Sequence, residues 1–296
     1  MQMRRTDLAL EAKELWQECT QKTTKLAGVR AEDGIRDGIP VNTVEILDER
    51  GEQALGKPCG RYVTLTLSGL ANREEDIFHR AVGAVAQELG AMLKPIPQNG
   101  LVLVAGLGNR AITPDAIGPK VRDHILVTRH LVAQMPEHFG AFRPVASVAA
   151  EVLGATGVES GEVVRAVCER IQPSCVIAVD ALASRSLQRL CSTVQLTDTG
   201  ITPGSGVGNH RLGLNHKSLG VPVIAVGVPT VVDGATLAAD LMGVEEPPDL
   251  DGGRELLVTP KDIDTQVNDL SKVIGYAISM ALQPGMTIPE LELLLG

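Results

Sequence analysis

The sequence predicts an α/β protein with an open, mostly parallel sheet that is flanked by helices. Two continuous apolar runs, LVLVA at 101–105 and CVIAV at 175–179, are short and contain several β-branched residues. Such runs are typical of strands that are buried on both faces of a parallel sheet. Amphipathic segments with helical spacing alternate with the strand-like runs. This alternation favours one α/β domain over residues 1–296.

Hydrophobic periodicity predicts the other elements in chain order. Apolar residues recur at helical spacing in segments that we expect to be helices, at 7–20, 72–93, 114–131, 158–171 and 260–282. Alternating or continuous apolar runs predict further strands at 41–47, 61–68, 145–152, 194–196 and 221–226. Polar and glycine-rich stretches are expected to be loops at 28–40 and 200–220, and the acidic stretch 237–253 an irregular excursion.

The composition excludes two classes of partner. The chain has 27 Lys and Arg against 36 Asp and Glu, a formal net charge of −9, and aromatic residues make up 2%. Nucleic acids require clustered cations and stacking aromatics, so we expect no direct nucleic-acid partner. No apolar run reaches membrane-spanning length, so we expect no membrane partner. The five cysteines are scattered, which indicates a reducing, cytoplasmic compartment.

The residues after the apolar run at 101–105 are suited to a ligand site. Gly106, Gly108 and Asn109 favour the tight turn that would end this strand. The TPD sequence that ends at Asp115 has the residues of a helix start. Asp115 should therefore lie beyond the carboxyl end of a central strand, where open α/β sheets bind ligands. The structural alternative is that Asp115 only complements the helix dipole.

The same stretch partly matches a dinucleotide-binding fingerprint. Gly106, Gly108 and Ala111 satisfy the G-x-G-x-x-[G/A] pattern. In that motif the helix begins almost at the second glycine, so that its N-terminus holds the pyrophosphate. Here Pro114 delays the helix, and no second strand ending in an acid follows at the required distance. We therefore expect no nucleotide cofactor.

A second aspartate ends the second continuous run. Asp180 follows CVIAV much as Asp115 follows LVLVA, so both should lie at one edge of the parallel sheet. Two carboxyl groups a few Å apart cannot both ionise easily, which leaves one proton for general acid and base catalysis. The alternative is that Asp180 only caps the next turn. From placement alone, the pair is a candidate catalytic dyad.

No other catalytic group is as well placed. Ser205 lies in a PGSG sequence without the strand-turn-helix setting of a nucleophile elbow. The six histidines include no HExxH pattern, and the cysteines include no CxxC pair. We therefore expect neither a metal site nor a cofactor.

At this point the sequence resembles the spore germination proteases. The matching blocks run in order along nearly the whole chain: RTDLALEA, VAGLGNRAITPDAIGPKV, TGVESGEVV, VIAVDALASRS, DTGITPGSGVGNHR, GVPVIAVGVPTVVD and VTPKDID. The resemblance implies an atypical aspartic-type endopeptidase on a three-layer α/β fold shared with hydrogenase maturation proteases. It also implies that Asp115 and Asp180 are the two essential aspartates.

The resemblance implies a biological setting as well. Family members degrade small acid-soluble spore proteins during germination, are made as zymogens, assemble as homotetramers and act in the developing forespore and spore core. From the two glycine-rich motif blocks we expect a set of substrate-binding residues: Gly106, Gly108, Asn109, Gly204, Ser205 and Gly206. The sequence departs from the family pattern at 149–152, where AAEV replaces Ala-Pro-Gly-Val, and at Thr202, where the family usually has His.

The N-terminal sequence TDLALE resembles the family's substrate site, Thr-Glu-(Phe or Ile)-Ala-Ser-Glu. This implies a short propeptide at about 1–7 and self-cleavage between Asp7 and Leu8. The structural alternative is that Thr6 and Asp7 cap the first helix. Two other functions stay open at this stage: a metal-dependent maturation protease of the same fold, and a non-catalytic nucleotide-binding α/β protein.

Overall fold

A computed structural model describes residues 6–20, 26–203, 212–244 and 256–296. Within these ranges nine strands form the sheet. In chain order they are β1 (Val29–Arg36), β2 (Ile39–Ile46), β3 (Gly60–Thr66), β4 (Val102–Leu107), β5 (Val145–Ala150), β6 (Cys175–Ala183), β7 (Thr193–Thr197), β8 (Val223–Asp233) and β9 (Leu257–Val258).

Helices connect these strands. In chain order they are α1 (Ala9–Thr20), α2 (Glu49–Leu55), α3 (Ile77–Leu93), α4 (Ile117–Arg122), α5 (Arg129–Gln134), α6 (Pro136–Phe139), α7 (Leu153–Thr156), α8 (Ser160–Ile171), α9 (His216–Leu219), α10 (Gly234–Met242), α11 (Ile263–Leu282) and α12 (Ile288–Leu295).

The sheet has the strand order β1-β2-β3-β7-β8-β6-β4-β5, with β9 paired to β8. The strands β8, β6, β4 and β5 are parallel to one another. The other half, from β1 through β7, pairs antiparallel, and β7 joins β8 antiparallel. The predicted α/β class, with an open sheet flanked by helices, is confirmed, and the parallel half contains both continuous apolar runs.

Helices cover both faces of the sheet, so the domain has three layers. Alternate residues of β4 show this: Val102 and Val104 belong to the core shared with α3 and α11. Leu103 and Leu107 belong to a second core, on the opposite face, that includes Val164 of α8. Side chains of a strand alternate between faces, so a strand covered on both sides must be apolar throughout.

The segment 28–40 is not a loop, and that prediction was wrong. β1 and β2 form a hairpin across it, with Arg36 paired to Ile39. The connecting residues are Asp37 and Gly38, with φ values of 49° and 77°. Two consecutive positive φ angles are what a two-residue hairpin turn requires, and Asp-Gly is a preferred sequence for it. Most side chains of β1 are exposed and several are charged, so this strand lacks the apolar periodicity by which the other strands were predicted.

The helix predicted at 114–131 is broken into three pieces. A 3-10 turn at Thr113–Asp115 precedes α4, and α5 starts only at Arg129. Between them the amide of Leu126 donates to Ser279 Oγ at 3.0 Å. The amide of Thr128 donates to the Val145 carbonyl at 3.0 Å. These amides bond to α11 and β5 instead of to a helical turn. The excursion predicted at 237–253 begins inside α10, and residues 245–255 lie outside the described ranges.

Candidate active site

Glycines let α4 pack directly onto the carboxyl end of β4. A Cβ atom on Gly106 would lie 2.2 Å from the carbonyl oxygen of Gly118, and one on Gly118 would lie 2.3 Å from that of Leu107. Contacts this short leave no room for a side chain. The N-terminus of α4 is therefore covered by the strand that precedes it. This packing differs from a dinucleotide site, in which the helix N-terminus faces the ligand.

Asp115 is held by the turn between β4 and α4. It ends the 3-10 turn that Thr113 and Pro114 begin. Its Oδ2 accepts a hydrogen bond from the amide of Asn109 at 2.8 Å. Gly108 has a φ of 111°, and a Cβ there would lie 2.1 Å from the Asp115 carbonyl oxygen. Gly108 and Asn109 therefore position Asp115, which is half-buried.

Asp180 lies within β6 and not beyond its end, which corrects the prediction from the sequence. It pairs with Gly227 of β8, and β6 continues to Ala183 because β8 continues beside it. The side chain is buried, with 4% of its surface exposed. Its Oδ1 accepts a hydrogen bond from the amide of Ala181 at 3.0 Å.

The strand register puts Asp180 at the level of the turn that holds Asp115. The pairing of β4 with β6 ends at Gly106 and Val179, so Asp180 comes directly after the last pair. β4 turns at Gly108 onto Asp115 at this level, and a Cβ on Gly118 would lie 2.5 Å from the Val179 carbonyl oxygen. The backbone at Asp180 and the turn that holds Asp115 therefore lie near one another at the carboxyl end of β4.

A cavity of about 340 Å³ lies beside this crevice. Gly227, the partner of Asp180, and Leu182 form part of its wall, and Leu182 covers the space that a side chain at 227 would need. Thr202, one of the departures from the family pattern, also lines the cavity. Tyr62 closes another side, where burial raises the pKa of its phenol to about 12.

The N-terminal segment docks against β6 at the rim of this cavity. The amide of Asp7 donates to the Ala183 carbonyl at 3.1 Å, and the amide of Ala183 donates to Asp7 Oδ2 at 2.8 Å. Leu8 is fully buried, with 0% exposed. Ala183 lies roughly 10 Å along the strand from Asp180, at about 3.3 Å per residue. In this arrangement the Asp7–Leu8 bond is held at Ala183, and Leu8 is packed into the protein.

Thr6 and Asp7 do not cap α1 in the way the structural alternative supposed. Thr6 Oγ1 accepts from the amide of Leu8 at 3.0 Å, and the Asp7 carboxylate turns to Ala183. Gln195 holds the same segment through the carbonyl of Asp7 and the amide of Ala9.

Glu11 anchors the N-terminal segment and is a functional residue that the sequence did not reveal. Its carboxylate is fully buried, with 0% exposed. It accepts hydrogen bonds from the amides of Arg185 and Ser186, the hydroxyls of Ser184 and Thr6, and the guanidinium of Arg189. In the sequence Glu11 is only the last residue of the TDLALE match. Its burial and its partners could not be predicted locally, because an acid in the first turn of a helix is usually exposed.

Two further features from the sequence are the second glycine-rich block and the AAEV departure from the family pattern. Gly204, Ser205 and Gly206 lie outside the described residues. Ala149, the first residue of the AAEV departure, lies on the edge strand β5 and pairs with Gly106 of β4. This departure therefore adjoins the turn that holds Asp115. The pKa of Arg110 is raised, mainly by the hydrogen bond from Arg110 to Asp123. The charge of Glu151, in the same departure, raises it further.

The described residues contain no group of three or more His, Cys, Asp or Glu side chains arranged to hold a metal ion. In the same ranges, no helix is both long and apolar enough to cross a membrane.

Comparison with known proteins gives consistent results. A family model described as germination protease matches residues 9–244. A germination protease of Caldanaerobacter subterraneus subsp. tengcongensis is 43% identical, over 98% of this chain and 98% of the relative. One of Clostridium perfringens is 41% identical over 97% and 98%, and one of Bacillus licheniformis 34% over 96% and 94%.

Among solved structures, a [NiFe] hydrogenase maturation protease, HycI, from Thermococcus kodakarensis is similar to part of the chain. It matches with a TM-score of 0.37 and 16% identity, over 64% of this chain and 98% of its own. A similarity of this size carries no argument about chemistry. The family model and the sequence relatives show the family. The chain belongs to the germination protease family, a family of peptidases.

Proposed function

We propose that this protein is an endopeptidase that initiates degradation of small acid-soluble spore proteins during germination. Asp115 and Asp180 would act as an aspartate dyad that activates water. The observation that supports the proposal is the strand register, in which Asp180 follows the last β4–β6 pair at the level where β4 turns towards Asp115, in a germination protease family member. Family membership supports the reaction class and the substrate, and the register supports the residues.

The two carboxyl groups can divide the work of peptide hydrolysis. In the resting pair one is ionised and the other keeps its proton, because two adjacent charges repel. The ionised carboxylate takes a proton from water as the oxygen attacks the peptide carbonyl. The protonated partner donates to the carbonyl oxygen, which gives a tetrahedral intermediate. The carboxyl group that took the proton from water then passes it to the amine nitrogen as the C–N bond breaks, and the partner recovers its proton from a hydroxyl of the intermediate. The Asn109 amide holds Asp115 and the pairing with Gly227 holds the backbone of Asp180, which supports a dyad whose members are positioned before substrate binds.

Substitution of each aspartate by asparagine tests the dyad. The substrate is a purified small acid-soluble spore protein, and fragments are followed by mass analysis. Asp115→Asn and Asp180→Asn should each lower kcat/KM by about 100- to 10,000-fold. The double variant should fall little further, because groups that act as a unit lose activity together.

Asp264→Asn is the matched control, since this carboxylate only accepts from Thr113 in the same region. It should retain activity. Near wild-type cleavage by either dyad variant, with folding confirmed by circular dichroism, would disprove the assignment. Loss of activity in EDTA, with recovery on added nickel or zinc, would instead favour a metal-dependent maturation protease.

The proposal includes a self-processing zymogen that is cut between Asp7 and Leu8. The docked segment beside β6 supports it, because the chain's own N-terminus already lies next to the cavity. Since Leu8 is buried, the segment must detach from Ala183 before its peptide bond reaches the dyad. Intact-mass measurement should show loss of residues 1–7. Trimming that persists in Asp115→Asn would show that another protease does the cutting.

The family resemblance further supports a homotetramer in the cytoplasm of the forespore and spore core. Exposed apolar side chains offer surface for such assembly, among them Ile35 on the hairpin at 69% and Leu293 on α12 at 82%. Light scattering of the purified chain tests this part, and a monomeric mass would contradict it.

A further inference from the structure

Lys57 occupies a fixed position on the cavity wall. It follows α2 and its C-cap residue Gly56, which has a φ of 63° and whose amide donates to the Glu52 carbonyl at 2.7 Å. Pro58 comes next, and its carbonyl accepts the Tyr62 hydroxyl at 2.8 Å. The hydrogen bond of the Gly56 amide on one side and the proline ring on the other restrict the backbone. The half-buried side chain is therefore presented to the cavity by a rigid turn.

The ammonium of Lys57 is not satisfied by the protein. Across the described ranges no hydrogen bond or ion pair is formed by its Nζ, although Asp7 and Glu11 are close enough to act on its charge. Burial lowers its pKa despite these two carboxylates. The Glu11 carboxylate is already saturated by amides, hydroxyls and Arg189. Because Lys57 lines the cavity, its ammonium is free to form a charge-assisted hydrogen bond with an anionic ligand there.

Three other polar side chains that line the cavity already have hydrogen-bond partners within the protein. The hydroxyls of Thr197 and Thr199 bond to each other at 3.0 Å, and Gln195 is occupied by the N-terminal segment. The cavity volume of about 340 Å³ falls at the lower end of ligand pockets, which span about 300–1,000 Å³. Its wall begins at Gly227, one strand spacing of about 4.8 Å from Asp180.

We infer that Lys57 is a specificity-determining residue, whose ammonium binds the carboxylate of an acidic side chain on a peptide seated beside Asp180. The inference rests on the proposed function, in that it supplies a subsite for that peptidase. Asp7 is the internal carboxylate of the same region: it lines the cavity with Lys57, and its Oδ2 accepts a hydrogen bond from the amide of Ala183. A peptide carboxylate that enters from the crevice forms with the Lys57 ammonium the hydrogen bond that Asp7 does not form.

Binding of a matched peptide pair tests this without requiring cleavage. One fluorescent peptide has the sequence of residues 3–14, MRRTDLALEAKE, and the other has asparagine in place of its single aspartate. The protein is the full chain with Asp115→Asn, to prevent turnover, and Asp7→Asn, to remove the internal carboxylate. Anisotropy titration should give a Kd about 10-fold lower for the aspartate peptide, as for one charge-assisted hydrogen bond.

Adding Lys57→Met to this chain should make the two affinities equal, and Lys57→Arg should keep the preference. Methionine retains the apolar stem of the side chain, and circular dichroism checks folding. Equal affinities with Lys57 present, a preference that survives Lys57→Met, or no binding of either peptide would overturn the inference. Failure of the proposed function is a separate result: wild-type chain that binds the aspartate peptide in this way but cleaves no spore protein.

Discussion

Replacing Glu11 with alanine should destabilise the protein more than any surface substitution on the same helix. Glu11 is fully buried, and its carboxylate accepts from Arg185 N at 2.8 Å, Ser186 N at 3.1 Å and Ser184 Oγ at 3.1 Å. Without it, two backbone amides lose their acceptor, at about 1–3 kcal/mol each. Arg189 keeps its second partner, Glu14, so no buried charge is left unpaired.

The sum for the two amides is a loss of about 2–6 kcal/mol in the free energy of unfolding, which includes the range found when one partner of a buried ion pair is removed. Urea unfolding followed by circular dichroism measures it. Glu14→Ala is the matched control, because Glu14 contacts the same Arg189 but is half-exposed. Its loss should be about 0.5–1 kcal/mol.

The same substitution should loosen the N-terminal segment locally. Hydrogen exchange at the amides of Arg185 and Ser186 should accelerate, because each loses its acceptor. Trimming between Asp7 and Leu8 should become faster than in wild type, since the segment must detach before cleavage. Unfolding free energies of Glu11→Ala and wild type within about 1 kcal/mol, with unchanged exchange, would refute the role given to this carboxylate.

Two further predictions concern packing and thiol chemistry. Gly118→Ala should cost about 1–3 kcal/mol and abolish cleavage, because its Cβ would lie 2.3 Å from a β4 carbonyl oxygen. Gly90→Ala, in α3 with open space around it, should be neutral or stabilising in the same urea titration. Iodoacetamide at pH 8 should label exposed Cys59 and spare Cys175, because burial raises the pKa of the Cys175 thiol to about 12. Peptide mapping with Cys175 labelled in folded protein would contradict this burial.

The parts of the fold that the sequence predicted are those with a strong periodic signal. β4 and β6 are covered on both faces, so their residues had to be apolar in continuous runs. The β1–β2 hairpin was missed because β1 has exposed, charged residues and its only signal was the Asp37-Gly38 turn. The break after α4 was missed because it depends on Ser279, a residue far along the chain.

The candidate site divides in the same way. Asp115 and Asp180 could be located because each is adjacent to a recognisable strand. Glu11 and Lys57 could not, because their roles come from burial against segments far apart in sequence, at 184–189 and around the cavity. Charged residues are exposed in most helices and loops, so only the folded structure distinguishes these two.

The position of β8 has a consequence for how the protein is made. It is the strand that joins β7 to β6. Without it, the sheet is two separate pieces: antiparallel β1, β2, β3 and β7, and parallel β6, β4 and β5. A nascent chain that has not yet released residues 223–233 from the ribosome therefore holds both aspartates but has no wall at Gly227. The cavity wall beside Asp180 is thus missing during most of the synthesis of the chain, while the chain itself is still unfolded.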